Sequence, residues 1–180
     1  MNKPVADRVK SIKQSDIRRF SAICAAMGGV NLSQGVCDQP APEAVKRAAQ
    51  QPIDADHASY TNLRGIAELR AAIARKMKAF NGIECDPDSQ ICVNVGSAGS
   101  FACTILATMN PGDEAIVFSP YYGYHVNLLK LFGMNVQFVD LAPPDWSYSQ
   151  SALESAFTEK TKLIVLCTPA NPSGKVYEES

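Results

Sequence analysis

The sequence lacks the features that mark metal, redox or membrane chemistry. Its 180 residues include two histidines, His57 and His125, too few and too isolated to build a zinc site. The six cysteines (Cys24, Cys37, Cys85, Cys92, Cys103, Cys167) contain no CxxC pair. Four of them sit in apolar or helical runs and are expected to be small buried thiols of a reduced, cytoplasmic protein without a metal site. No apolar run approaches the roughly 18 residues of a membrane helix, and residues 1–7 lack a signal-peptide core. Neither sign of charge dominates: 17 Lys and Arg against 18 Asp and Glu leave −1, which argues against broad binding to nucleic acid or to an acidic membrane surface. There is no GxxxxGK[ST] loop, no GxGxxG fingerprint and no GxSxG elbow.

What remains is a globular composition, 46% apolar and 19% charged. The length suits one domain, or one domain with an arm. A chain of this size buries roughly 70% of its unfolded surface.

Residues 1–15 are polar and without a clear period, and read as an arm. Ser15 is placed to cap a helix carrying Ile17, Phe20, Ile23, Cys24 and Met27, which Gly28-Gly29 ends. Val30–Ser33 reads as a short extended piece. Pro42 suits the first position of a helix over Glu43–Gln50, followed by an irregular stretch, Pro52–Arg64. Ile66, Leu69, Ile73, Met77 and Phe80 keep helical spacing up to Asn81-Gly82. From there β-rich runs alternate with helical ones. Strands are expected at Gln90–Val95, Glu114–Phe118, Asn135–Leu141 and Lys162–Cys167, with helices after Gly96, over Tyr121–Phe132 and over Ser151–Phe157. This is the pattern of an α/β fold, a three-layer α/β/α sandwich with a mostly parallel sheet. No helix follows the last strand, so the chain is expected to be a truncated piece of a larger sheet.

Ligands of open α/β sheets bind at the carboxyl ends of the strands, and three such ends carry suggestive residues. Gly96-Ser97-Ala98-Gly99-Ser100 opens a helix, where backbone N–H groups and the helix dipole favour an anion; the same small residues also suit a plain tight turn. Ser97 and Ser100 add hydroxyls. Ser119-Pro120-Tyr121-Tyr122-Gly123-Tyr124 offers a flat face for a planar ring, or ordinary helix packing. Asn171, between Pro169 and Pro172 on the Thr168–Gly174 loop, offers a side-chain amide, or simply nucleates the turn. Together they describe one site for a flat, phosphorylated, heteroaromatic cofactor.

These segments resemble the N-terminal part of the class I/II aminotransferases, the pyridoxal-phosphate enzymes of fold type I. The likeness runs from about Val30 to Tyr177. It rests on Tyr60 with Leu63-Arg64-Gly65-Ile66-Ala67-Glu68-Leu69-Arg70, on Val93–Ala98, on Asn110-Pro111-Gly112-Asp113-Glu114, on Ser119-Pro120-Tyr121-Tyr122 and on Asn171-Pro172-Ser173-Gly174.

The resemblance implies pyridoxal 5'-phosphate as cofactor, with amino acid and 2-oxo acid substrates. Gly96, Ser97 and Ala98 would hold the phosphate, Tyr122 would stack on the ring, and Asn171 would donate to its phenolic oxygen. Tyr60 would reach the phosphate of the neighbouring subunit's cofactor in a homodimer, and Gly35 would lie beside the substrate carboxylate. It implies residues 1–30 as an arm and helix of the small domain and dimer contact, and residues 31–180 as the first part of the cofactor-binding large domain. In this family a lysine in a pattern like Ser-x-x-Lys carries the cofactor; no Ser-x-x-Lys occurs in these 180 residues, and Lys175 reads as a surface residue. Ala98 also stands where many relatives carry a side-chain donor. The open alternatives are a carbon–sulfur lyase or cyclopropane-forming synthase with the same motifs, a non-catalytic fragment or remnant, and a small α/β protein that binds a phosphorylated ligand without chemistry.

Overall fold

The computed structural model describes residues 5–12, 15–33, 35, 37–57 and 59–178. They form two compact units, one of residues 16–94 and one of the N-terminal 15 residues together with 95–180. This division is one of packing.

The second unit is built on a four-stranded sheet in the order β3-β2-β1-β4. β1 (Glu114–Ser119), β2 (Asn135–Ala142) and β4 (Thr161–Val165) run parallel, and β3 (Ser147–Tyr148) pairs antiparallel to β2. β1 lies between β2 and β4, so its Ala-Ile-Val-Phe run is buried on both faces and needs no polar alternation. Two helices, α4 (Gly96–Thr108) and α5 (Gly123–Leu131), cover one face with Ile105, Val126 and Leu129 against Ala115 and Val117. The short α6 (Gln150–Ala156) covers the other through Leu153 and Ala156, against Ile116, Phe118, Val139 and Leu141. The result is the expected three-layer α/β/α arrangement. Each fully buried aliphatic side chain contributes about 1.5–3 kcal/mol.

The first unit is helical: α1 (Asp16–Ala26), α2 (Glu43–Asp54) and α3 (Ala67–Asn81). Gly28, at φ +66°, ends the turn after α1, and the Gly29 N–H closes onto the Cys24 carbonyl at 2.9 Å. Gly82 caps α3 in the left-handed conformation.

Several expectations fail for physical reasons. Gln90–Val95 forms no strand: it has the right side chains but no ladder, and the Val93 N–H is taken by the Arg64 carbonyl at 3.0 Å. β3 was not foreseen, since two residues give no period. α2 runs past Gln50 through Pro52 to Asp54, because a proline in the last turn sacrifices one hydrogen bond of an already ending ladder. Within the arm, Asp7–Ser11 forms a 3-10 turn that packs on α5. The six cysteines are unpaired, but the expected burial of four of them is absent: Cys92 and Cys103 are exposed and none of the six is fully buried. Among the described residues no helix is long and apolar enough to cross a membrane.

Candidate functional site

The carboxyl ends of β1 and β4 open into a cleft. Its floor is Val117 and Phe118 of β1, and its walls include Tyr122, His125, Cys167 and Asn171. Two of the residues singled out from the sequence, Tyr122 and Asn171, therefore meet in one cleft from separate loops. Cis peptide bonds follow β1 at Ser119-Pro120 and β4 at Thr168-Pro169 and Asn171-Pro172.

Tyr122 sits just ahead of α5. Its ring stacks on Tyr124 at 5.2 Å, and the edge of His125 meets it at 5.4 Å. Tyr121 also lines the cleft, and its ring stacks on Phe138. His125 is a cleft residue that the sequence reading missed. The signal was available: three residues beyond Tyr122 on a helix is the same face. Burial pulls the imidazole below its ordinary 6.5, so His125 is neutral at pH 7.

His125 also joins the cleft to α4, through a ring contact with Phe101 at 4.7 Å. Phe101 lies one turn beyond Ser97 on α4, while Gly96, Ser97 and Ala98 are not among the residues that line the cleft. Gly96 opens that helix at φ +67°, with nothing within 4 Å of the point where a Cβ would stand. No side chain caps the helix start and its first turn holds no acid. Small residues, uncapped N–H groups and the positive end of a helix fit a phosphate. Ser100 is a correction: its hydroxyl donates back to the Gly96 carbonyl at 3.2 Å, inside the helix, and so is not aimed at an anion. The chemistry of the whole set, an anion cradle, a π-face and an amide, fits a planar phosphorylated ring.

Tyr177 is a second missed residue. It lines the cleft and packs on Phe118 at 5.7 Å. Burial, with smaller contributions from Cys167 and Tyr148, pushes its phenol above 10.0. Lys175 is not a plain surface residue either: its Nζ donates to the Asp145 carbonyl at 2.9 Å. Tyr60 and Gly35 belong to the helical unit; Tyr60 is fully exposed and Gly35 is exposed.

A mostly parallel sheet between helices, with a cleft at the carboxyl edge of its strands, defines the class as three-layer α/β/α. The family model described as aminotransferase class I and II matches residues 28–180, and the chain belongs to that family. A bifunctional aspartate aminotransferase and glutamate/aspartate-prephenate aminotransferase of Petunia hybrida is 32% identical over 96% of this chain and 37% of its own length. Among solved structures, YbdL from Escherichia coli, described as having a methionine aminotransferase function, superposes with a TM-score of 0.92 at 28% identity, over 98% of this chain and 46% of that one. Thermus thermophilus aspartate aminotransferase with maleate gives 0.89 at 31% identity, over 98% and 48%. The chain spans about half the length, or less, of the relatives it matches.

Proposed function

We propose that the chain is the cofactor-binding part of a pyridoxal-phosphate-dependent aminotransferase, which moves an amino group between an amino acid and a 2-oxo acid. The observation that carries this reading is the convergence of Tyr122 and Asn171 on one cleft. In it, the backbone N–H groups of Gly96, Ser97 and Ala98 hold the phosphate, Tyr122 covers one face of the ring, and the Asn171 amide donates to the ring oxygen. When bound, the cofactor supplies an electron sink for the substrate's α-carbon. The protein's part is to fix the ring plane, exclude water from its face and hold the oxygen deprotonated. His125, neutral and edge-on to Tyr122, keeps that ring from tilting away.

Residues 1–30 then serve the small domain and the dimer contact, and residues 31–180 open the large domain. Tyr60 reaches the neighbouring subunit's phosphate in a homodimer, and Gly35 borders the substrate carboxylate. A cytoplasmic location suits six unpaired thiols. Among the described residues no lysine lines the cleft; the transfer reaction is proposed for a protein of the relatives' length. The test is reconstitution of the protein, expressed from its whole reading frame, with pyridoxal phosphate, followed by assays of amino donors against 2-oxo acids. Tyr122→Ala and Asn171→Ala are expected to weaken cofactor binding at least about tenfold each, on the scale of one lost specific contact. Full affinity in both variants would overturn the assignment. Elimination from sulfur-containing substrates without transfer would replace it with a lyase.

A further inference from the structure

The loop bearing Asn171 leaves β4 at the edge of the sheet, yet it is fastened on the far side of β1. The strand order puts β1 between β4 and β2. Lys175 Nζ nevertheless donates to the Asp145 carbonyl at 2.9 Å, and Asp145 lies in the turn between β2 and β3. The segment Thr168–Tyr177 is therefore a strap across the carboxyl end of β1, with Tyr177 resting on Phe118.

The strap is stiff inside. The Gly174 N–H closes onto the Ala170 carbonyl at 2.7 Å, and the Ala170 N–H onto the Lys175 carbonyl at 2.8 Å. The Lys175 N–H donates to Ser173 Oγ at 3.3 Å. Asn171 sits within this closed turn. Lys175 is thus tied twice: its backbone to the turn that carries Asn171, and its ammonium to the sheet. The anchor is firm as well. Trp146, next to Asp145, holds φ +56°, an uncommon conformation for a bulky residue, and its side chain packs on the core of Ile116, Phe118, Val139 and Leu141. A charged donor on a carbonyl is among the stronger hydrogen bonds.

We propose that Lys175 is a positioning residue: by pinning the strap to the Asp145 carbonyl, it sets where the Asn171 amide stands over the cleft. The proposal rests on the reading of the cleft as a pyridoxal-phosphate site. It makes Lys175 a determinant of how well Asn171 polarises the ring oxygen, without any contact of its own with the ligand.

The test uses the protein expressed from its whole reading frame and loaded with pyridoxal phosphate, as wild type, Lys175→Met, Lys175→Arg, Asn171→Ala and the Met/Ala double variant. Three quantities are read: cofactor affinity, the pH midpoint of the bound chromophore's absorption change, and amide hydrogen exchange across residues 168–177. Asn171→Ala is expected to raise the midpoint, because a donor to the oxygen favours its deprotonated form. Lys175→Met is expected to raise it by a smaller amount, weaken affinity about 3- to 10-fold, less than the roughly 100-fold a 1 Å misplacement can cost a reaction, and speed exchange in the strap. Lys175→Arg restores all three, and the double variant matches Asn171→Ala alone.

If Asn171→Ala moves the midpoint and Lys175→Met does not, the positioning role falls and the cofactor reading stands. If Asn171→Ala moves nothing, the cofactor reading falls and takes the proposal with it. Equal losses from Lys175→Met with and without Asn171, no rescue by arginine, or a collapsed thermal melt each make Lys175 a merely structural residue and overturn the proposal.

Discussion

The sheet unit and the helical unit are ordered by different means. In the sheet unit, Ile105, Ile116, Leu129 and Val139 are fully buried and the fold rests on apolar contact. In residues 16–94, Arg70 and Ile91 are the buried residues among those described, while Phe20, Ile53 and Phe80 stay largely exposed. Order there comes from a polar latch. Arg70, 5% exposed, donates to the Gly65 and Pro87 carbonyls and pairs with Asp88 at 2.9 Å, and Arg64 donates to the Asp88 carbonyl. Asp86 tightens the same loop by accepting from the Asp88 N–H and the Ser89 hydroxyl; the Ser89 bond is the main reason its carboxyl lies below the usual 3.8. Gly65 closes the latch: at φ +96°, a Cβ there would stand 2.7 Å from Val93. A core distributes its stabilisation over many replaceable contacts, whereas a latch concentrates it in one side chain.

The largest expected effect tests that contrast directly. Leu129→Ala opens a cavity in the sheet core and should cost about 2–5 kcal/mol in denaturant unfolding. Phe80→Ala in α3 removes an exposed ring and its contact with Lys76 at 4.7 Å, and should cost about 1 kcal/mol or less. Equal losses would erase the distinction between the units. Next comes Arg70→Met, which leaves the Gly65 and Pro87 carbonyls without their donor. It should cost about 1–3 kcal/mol and raise hydrogen exchange over residues 64–93 before the sheet unit responds; uniform loosening of both units would show that the latch is not local.

The smallest effect is a pH dependence of the sheet unit. His125 is held neutral below its ordinary 6.5. Between that lowered value and 6.5 the unfolded chain binds more protons than the folded one, so stability rises with pH across this window and falls on acidification. His125→Phe should flatten the stability profile from pH 7 down to 5. An unchanged slope would mean that other groups produce it. Asp86 acts lower, its contribution being lost only as pH drops through its depressed value, so the two are separable.

These contrasts track what the chain order discloses. Ala115–Phe118 is legible because a strand buried on both faces must be apolar without interruption. Tyr122 and Asn171 are legible because strand-end loops are where ligands bind. Gln90–Val95 misleads because β-rich composition records a fit to a pleated surface, and only a neighbouring strand supplies that surface. Lys175 is illegible because its acceptor is a main-chain oxygen thirty positions away, which no residue type marks. The latch of Arg70 is hidden for the same reason: two of its partners are carbonyls.

Val117 and Phe118 close core clusters on opposite faces of the sheet and also form the floor of the cleft. Selection for a more stable fold and selection for a better-fitting ligand therefore act on the same two side chains. A lineage that refills this core redraws its binding site in the same step, and one that reshapes the site must renegotiate its stability.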